Sequence, residues 1–272
     1  MLNKLFHYLS DFQIIIKMKH YSTDLTDGQW NLINGILNDK RKRKHSLREI
    51  FNAIFYLLKT GCQWRMLPIG FPKWELVYYY FSKWKSTGVI EQIHEFIRDM
   101  VRRNAGRNVS PSMALIDSQS VKTTRLGGES RGIDGGKKIK GRKRHIITDT
   151  MGLLLAVVVH GANVHDSKGA TDVITLLKGR FVRLVKIIAD GGYRGELIDK
   201  TKIAFGWLLE IVLRTDNSAK FVVIPKRWVV ERTFAWFESY RRLSKDFEYR
   251  TDTSESMIQL AMIKLMLNRL KS

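Results

Sequence analysis

Three carboxylates stand out because their surroundings give them no ordinary reason to be there. Asp117 follows the apolar residues Ala114, Leu115 and Ile116 and continues into Ser118 without a Gly or Pro break, so it falls inside an expected strand. Asp is disfavoured in strands, and a buried charge without a partner is costly. A basic partner, a pocket of backbone N–H groups or a metal ion has to offset it. Asp190 repeats the arrangement, ending the largely apolar stretch 184–189 before Gly191 and Gly192. Glu231 lies on an expected helix among Trp228, Val229, Phe234 and Trp236. Each acid has a structural alternative: Asp117 can pair with Lys122, and Glu231 with Arg227 or Arg232. Taken together, three carboxylates without a Cys/His set are donors for a hard cation, Mg²⁺ or Mn²⁺. Two such ions, roughly 3.5–4 Å apart, can activate a water or a 3′-hydroxyl and stabilise the leaving oxygen of a phosphodiester.

The charge balance points to the same chemistry. The 272 residues hold 47 Lys and Arg against 26 Asp and Glu, a net charge of +21. Phosphate contacts and counterion release reward such an excess, so a nucleic acid is the expected partner. The basic residues also cluster. Between Lys122 and His145 stand Arg125, Arg131, Lys137, Lys138, Lys140, Arg142, Lys143 and Arg144, interspersed with glycines and opposed by only Glu129 and Asp134. This reads as a flexible basic arm that starts just after Asp117 and tracks a DNA backbone. No basic amphipathic stripe suggests a membrane surface. A single cysteine, Cys62, allows no internal disulfide and fits a reducing cytoplasm.

The elements that must position these groups follow from periodicity. Residues 1–17 are apolar in patches but interrupted by Asp11 and closed by Lys17 and Lys19; they read as a dispensable extension, too short and broken to span a membrane. From Asp24 to about Arg107 the pattern is helical. Thr26 with Gln29 and Ser46 with Glu49 form capping-box matches, and Gly61 stops the second helix. Helices are also expected from Trp74 to Thr87 and from Val89 to about Arg103. Two helix pairs joined by a Pro-bearing turn, with the basic stretch 40–45 between the first two, suit a DNA-binding region.

After a polar boundary at 104–111 the texture changes. Strands are expected at 113–122, 143–149, 153–160, 184–190 and 207–213, with a strand-like stretch at 221–225. Helices are expected at 166–178, 194–204, 228–243 and 254–270, the last apolar around much of its circumference and therefore packed. This is an α/β order, a mixed sheet flanked by helices. Asp149 and Asp166 rival the chosen carboxylates but sit near turns or caps, where an Asp has a local reason to be. His160 and His165 are expected in loop or cap roles.

Seven ordered motifs carry a resemblance. They are Tyr21-Ser-Thr-Asp-Leu-Thr-Asp-Gly-Gln-Trp30, Thr60-Gly-Cys-Gln-Trp-Arg-Met-Leu-Pro68, Ile116-Asp-Ser-Gln-Ser-Val-Lys-Thr-Thr124, Gly141-Arg-Lys-Arg-His145, Ala189-Asp-Gly-Gly-Tyr193, Trp228-Val-Val-Glu-Arg-Thr-Phe-Ala-Trp236 and Tyr240-Arg-Arg-Leu-Ser-Lys-Asp-Phe-Glu248. With them the chain resembles the DDE transposases of bacterial insertion sequences, in the insertion-sequence family five group. The resemblance implies an RNase H-like catalytic domain at 108–272, a helical DNA-binding region at 21–107 and an extension at 1–20. It implies Mg²⁺-dependent cleavage of double-stranded DNA at the element's inverted-repeat ends, strand transfer into target DNA, a homodimer or larger assembly holding two ends, and a cytoplasmic, nucleoid-associated location.

Carried over by motif, Asp117, Asp190 and Glu231 are the three acids. Lys122, Lys137, Lys138, Lys140, Arg142, Lys143, Arg144, Arg227, Arg232, Arg241 and Arg242 are the expected phosphate contacts. One departure concerns the pattern around the third acid. Arg227 and Glu231 keep its Arg–Glu spacing, but Ile224 stands at the Tyr position and Glu238 at the Lys position. Arg241 or Arg242 can take over that phosphate contact, and Glu238 becomes the rival to Glu231 as third ligand. Two other readings stay open on sequence: a structure-specific nuclease that cuts without joining, and a protein that only binds the ends.

Overall fold

A computed structural model describes residues 20–213 and 227–270, with only the backbone of Arg227. The extension at 1–17, the strand-like stretch 221–225 and the expected phosphate contact of the Arg227 side chain lie outside what is described. The helical part contains α1 (Asp27–Leu37), α2 (Leu47–Thr60), α3 (Trp74–Ser86) and α4 (Val89–Asn104). Both expected capping boxes are present: Thr26 accepts from the Gln29 N–H and Ser46 from the Glu49 N–H. Gly61 ends α2 at φ 73°, a left-handed conformation that glycine adopts without a Cβ penalty, and donates to the Leu57 carbonyl.

The remaining chain runs β1 (Met113–Lys122), β2 (Gly132–Asp134), β3 (Ile139–Asp149), β4 (Leu154–Gly161), α5 (Asp166–Thr175), β5 (Lys186–Ala189), α6 (Leu197–Phe205), β6 (Leu208–Ile211), α7 (Arg227–Glu238) and α8 (Thr251–Leu267). Strands β3, β1, β5 and β6 lie side by side. β1 and β3 are antiparallel, whereas β1, β5 and β6 are mutually parallel. β4 and β2 pair with successive stretches of β3. This mixed sheet with helices on both faces is the RNase H-like architecture.

The sheet separates two apolar layers. On one face Leu115, Ile146, Val157 and Ile188 join α7, α8 and the four N-terminal helices in one continuous cluster. On the other face Ala114, Ile116, Ile147 and Ile187 pack with Ala170, Val173 and Ile174 of α5 and Leu197 of α6. The helical part and the sheet therefore share a core, although helices give way to strands between Asn104 and Met113. α8 is packed as its composition requires, with Met257, Ile258, Leu260, Ala261, Met262, Ile263, Met266 and Leu267 all buried.

The basic arm does not survive as an arm. Its second half is β3, paired along both edges with β1 and with β2 and β4, and every residue from Gly141 to Asp149 is buried. Arg142, Lys143 and Arg144 are structural cations here, and Arg242 joins them. Arg142 donates to Asp246 Oδ1 at 3.1 Å and to the carbonyls of Glu129, Glu248 and Tyr249. Lys143 donates to Asp166 Oδ1 and to the Val164 carbonyl. Arg144 donates to the Leu243 carbonyl, and burial pushes its guanidinium down to about 10. Arg242 donates to Glu248 Oε1 and to the Cys62 carbonyl. Buried charges persist only when paired and hydrogen-bonded, and these pairings withdraw all four residues from phosphates in solution.

Candidate active site

In the parallel β1–β5 ladder Met113 pairs with Lys186 and Leu115 with Ile188. Asp117 and Asp190 stand the same step beyond the last of these pairs, so the register brings the two carboxylates to corresponding positions on neighbouring strands. Asp117 Oδ1 accepts from the Ser118 N–H at 2.7 Å. Asp190 caps the short 3-10 turn Gly191–Tyr193, where its Oδ1 accepts from the Gly192 N–H at 2.9 Å. Strand alternation gives Asp117 the face of Leu115, the face that α7 covers.

α7 is held to that face by Val229, Val230, Phe234 and Phe237, all buried. The Thr233 hydroxyl donates to the Gly152 carbonyl at 2.9 Å, tying the helix to the β3–β4 turn. Glu231 and Glu238 are both exposed on α7. Arg232 lies over the rings of Trp228 and Trp236, 4.4 and 4.8 Å from their centroids, and donates to the Met151 carbonyl. The structure thus directs Asp117 and Asp190 to the same end of neighbouring strands and sets the helix of Glu231 over the face of Asp117. Among the described residues, no three Asp, Glu, His or Cys side chains converge on a point that could hold an ion. The donor chemistry nevertheless fits a hard cation: oxygen-only ligands at the end of two adjacent strands, beside a glycine turn with no side chain to fill the space.

Of the expected phosphate contacts, Lys122, Lys137, Lys138, Lys140 and Arg241 are exposed. Lys137 reaches back to the Ser118 carbonyl at 3.4 Å, next to Asp117. In the stretch 40–45, Arg41 and Arg43 both clamp Asp39, leaving Lys40, Lys42 and Lys44 exposed on that side.

A polar cluster that the sequence does not announce lies on the α5 face. Cross-strand register pairs Ser118 with His145 and Ser120 with Lys143. Asp166, the first residue of α5, accepts through Oδ1 from Ser118 Oγ at 3.0 Å and from Lys143 Nζ at 2.9 Å. Burial alone would raise this carboxyl, but Lys143 and Ser118 hold it below the usual value. Asp134 receives Ser120 Oγ at 2.5 Å. His145 Nδ1 and His160 Nε2 are 2.8 Å apart, and His160 Nδ1 lies 2.9 Å from the Gly161 carbonyl. That carbonyl fixes the proton on His160 Nδ1, so His145 donates through Nδ1. Burial, then His160, push His145 down to about 3 and keep it neutral. Beneath the cluster the Tyr193 phenol is pushed far up by burial and by the carboxylates of Asp117, Asp166 and Asp190. His165 is the N-cap of α5, as expected. Asp149 is the structural acid that its turn position suggested, accepting from Met151 N, Leu153 N and Arg102.

Comparison with known proteins decides the family. Residues 110–266 match a model described as a transposase DDE domain. The chain belongs to the DDE transposases of insertion sequences. In these transposases the helical part is also recognised, since residues 25–94 match a model described as a putative transposase of the IS4/5 family. A putative transposase for insertion sequence element IS402 from Burkholderia cepacia is 32% identical over 139 residues, covering 48% of this chain and 65% of that protein. An insertion element IS402 uncharacterized 16.2 kDa protein from the same organism is 26% identical over 113 residues, covering 38% of this chain and 76% of that protein. The chain thus spans just under two thirds of the first of these relatives.

Proposed function

We propose that this transposase cuts double-stranded DNA at the inverted-repeat ends of its element and joins the exposed 3′-hydroxyls to target DNA, using Asp117, Asp190 and Glu231. The observation that carries the reading is the β1–β5 register, which leads two carboxylates to the same end of neighbouring strands, each two residues past the last pair. Asp117, Asp190 and Glu231 would hold Mg²⁺ or Mn²⁺. A divalent cation bound there supplies Lewis-acid activation of the attacking oxygen and charge stabilisation of the leaving one.

The chain's own residues do the rest. The β1–β3 ladder holds Asp117, the turn Gly191–Tyr193 holds Asp190, and backbone N–H contacts restrain both carboxylates before substrate arrives. Lys122, Lys137, Lys138, Lys140 and Arg241 bind phosphates and orient the scissile bond. The helices at 21–107 contribute DNA contacts through Lys40, Lys42 and Lys44, and two copies of the chain hold the two ends. Phosphate contacts of this kind position the duplex without reading bases.

The test uses DNA carrying an inverted-repeat end. Asp117→Asn, Asp190→Asn and Glu231→Gln each abolish metal-dependent cleavage and leave end binding intact, whereas Glu238→Gln keeps activity. Cleavage at the wild-type rate in any of the first three removes that residue from the site. Joining of the cut end to a second duplex distinguishes a transposase from a nuclease that stops at cleavage.

A further inference from the structure

Asp166 comes from α5, on the opposite face of the sheet from α7, yet it reaches the same strand end. β5 stops at Ala189, and the chain turns there through Gly191–Tyr193. A Cβ built on Gly192 would lie 3.1 Å from Asp190 Oδ1 and 3.5 Å from Asp166 Oδ2. The two carboxylates therefore face one another across a residue without a side chain. The two oxygens of Asp166 have different surroundings. Oδ1 is committed to Ser118 Oγ and Lys143 Nζ, while Oδ2 is turned toward Gly192 and Asp190. Cation-binding carboxylates are typically oriented in this way, one oxygen fixed by outer hydrogen bonds. Ser118 directly follows Asp117, so the anchor of Asp166 is built into the strand that carries the first acid.

A second feature points to a ligand at this place. His145 is fully buried, and its Nε2 has no hydrogen-bond partner among the described residues. That nitrogen lies 3.6 Å from Asp166 Oδ1. Its Nδ1 is taken up by His160 Nε2 at 2.8 Å, so Nε2 is the ring nitrogen left over, on the Asp166 side. A buried polar atom left without a partner is a place where a bound water or ion is expected.

We propose that Asp166 is a further carboxylate ligand of the divalent cation held by Asp117 and Asp190, with Ser118 and Lys143 fixing its orientation. The assignment rests on the metal-dependent reading of the site given above. It predicts that the cation draws together carboxylates that line one opening without meeting at a point.

The experiment titrates Mn²⁺ into the full-length chain without DNA and follows free Mn²⁺ by electron paramagnetic resonance. Asp166→Asn is expected to weaken Mn²⁺ binding about ten- to a hundredfold, and Asp117→Asn and Asp190→Asn at least as much. Asp172→Asn, exposed on the same helix, leaves binding unchanged. Wild-type affinity in Asp166→Asn, with Asp117→Asn weakened, overturns the assignment while sparing the site. Wild-type affinity in all three strikes instead at the metal-dependent reading. Should Asp166→Asn melt before titration, Asp166→Glu takes its place. It keeps the charge beside Lys143 but moves the oxygens by one methylene, and unchanged Mn²⁺ affinity there also overturns the assignment.

Discussion

The guanidinium of Arg142 lies 3.1 Å from the carboxylate of Asp246, and neither side chain is exposed. Ser254 Oγ bonds both Asp246 oxygens, and the Asp246 N–H donates to the Lys122 carbonyl. One fully buried ion pair thus pins the segment before α8 onto the end of β1. Removing one partner of such a pair leaves the other charged and uncompensated. Arg142→Ala is therefore expected to lose about 3–5 kcal/mol of stability. Equilibrium denaturant unfolding measures it, and a loss below about 1 kcal/mol would contradict the structural role. Salt-dependent DNA affinity measured below the melting temperature should hardly change, because this guanidinium does not face solvent.

The same pair shows where the sequence is legible and where it is not. The caps at Thr26 and Ser46 and the stop at Gly61 involve neighbours within a turn, so their spacing alone announces them. Asp117 and Asp190 are visible for a similar reason, as acids at apolar runs. β3 is half hidden because Lys140, Arg142, Lys143 and Arg144 look like solvent-facing charge. The partners of the last three, Asp246, Asp166 and the Leu243 carbonyl, lie far away in sequence. Asp166 looks like a plain cap residue for the same reason: Ser118 and Lys143 reach it only through the β1–β3 register.

Gly192 separates the carboxylates of Asp190 and Asp166, and its backbone is not in the left-handed region, so a methyl group tests the space alone. In Gly192→Ala the added carbon stands 3.1 Å from Asp190 Oδ1, which has to shift by a few tenths of an ångström. If Asp190 acts as proposed, the expected result is a loss of cleavage of roughly tenfold or more, since small misplacements of catalytic groups are costly, with little change in melting temperature. Wild-type cleavage rates in this variant would show that the turn tolerates the displacement.

Glu255 supplies a pH dependence away from the site. Its Oε1 accepts from the Val159 N–H at 2.8 Å, on the edge of β4 that faces α8. Burial raises this carboxyl to about 7, with the nearby Asp252 adding to the rise and Lys85 opposing it. A raised acid keeps its proton in the folded chain after the unfolded chain has released it. Its contribution is therefore fully present below the usual value of 4.5 and is lost as pH rises through about 7. Glu255→Gln keeps an acceptor for Val159 without the titration. The variant should match the wild type at about pH 4 and melt higher than it at about pH 8. Parallel melting curves across that range would assign the pH dependence elsewhere.

Lys137, Lys138 and Lys140 are exposed members of the basic stretch, at the turn into β3 and on its second residue. Lys137 already touches the Ser118 carbonyl, which puts this turn beside Asp117. If these ammonium groups neutralise phosphates, each contributes nearly one unit to the dependence of log affinity on log salt. The triple variant Lys137→Ala, Lys138→Ala, Lys140→Ala is then expected to lower that slope by about two to three. It should weaken element-end and unrelated duplexes by similar factors, because phosphate contacts carry no base code. Electrophoretic or anisotropy titrations over a range of salt concentrations measure both quantities. An unchanged slope would move the DNA path away from this turn, and a loss confined to element ends would mean that these residues read sequence.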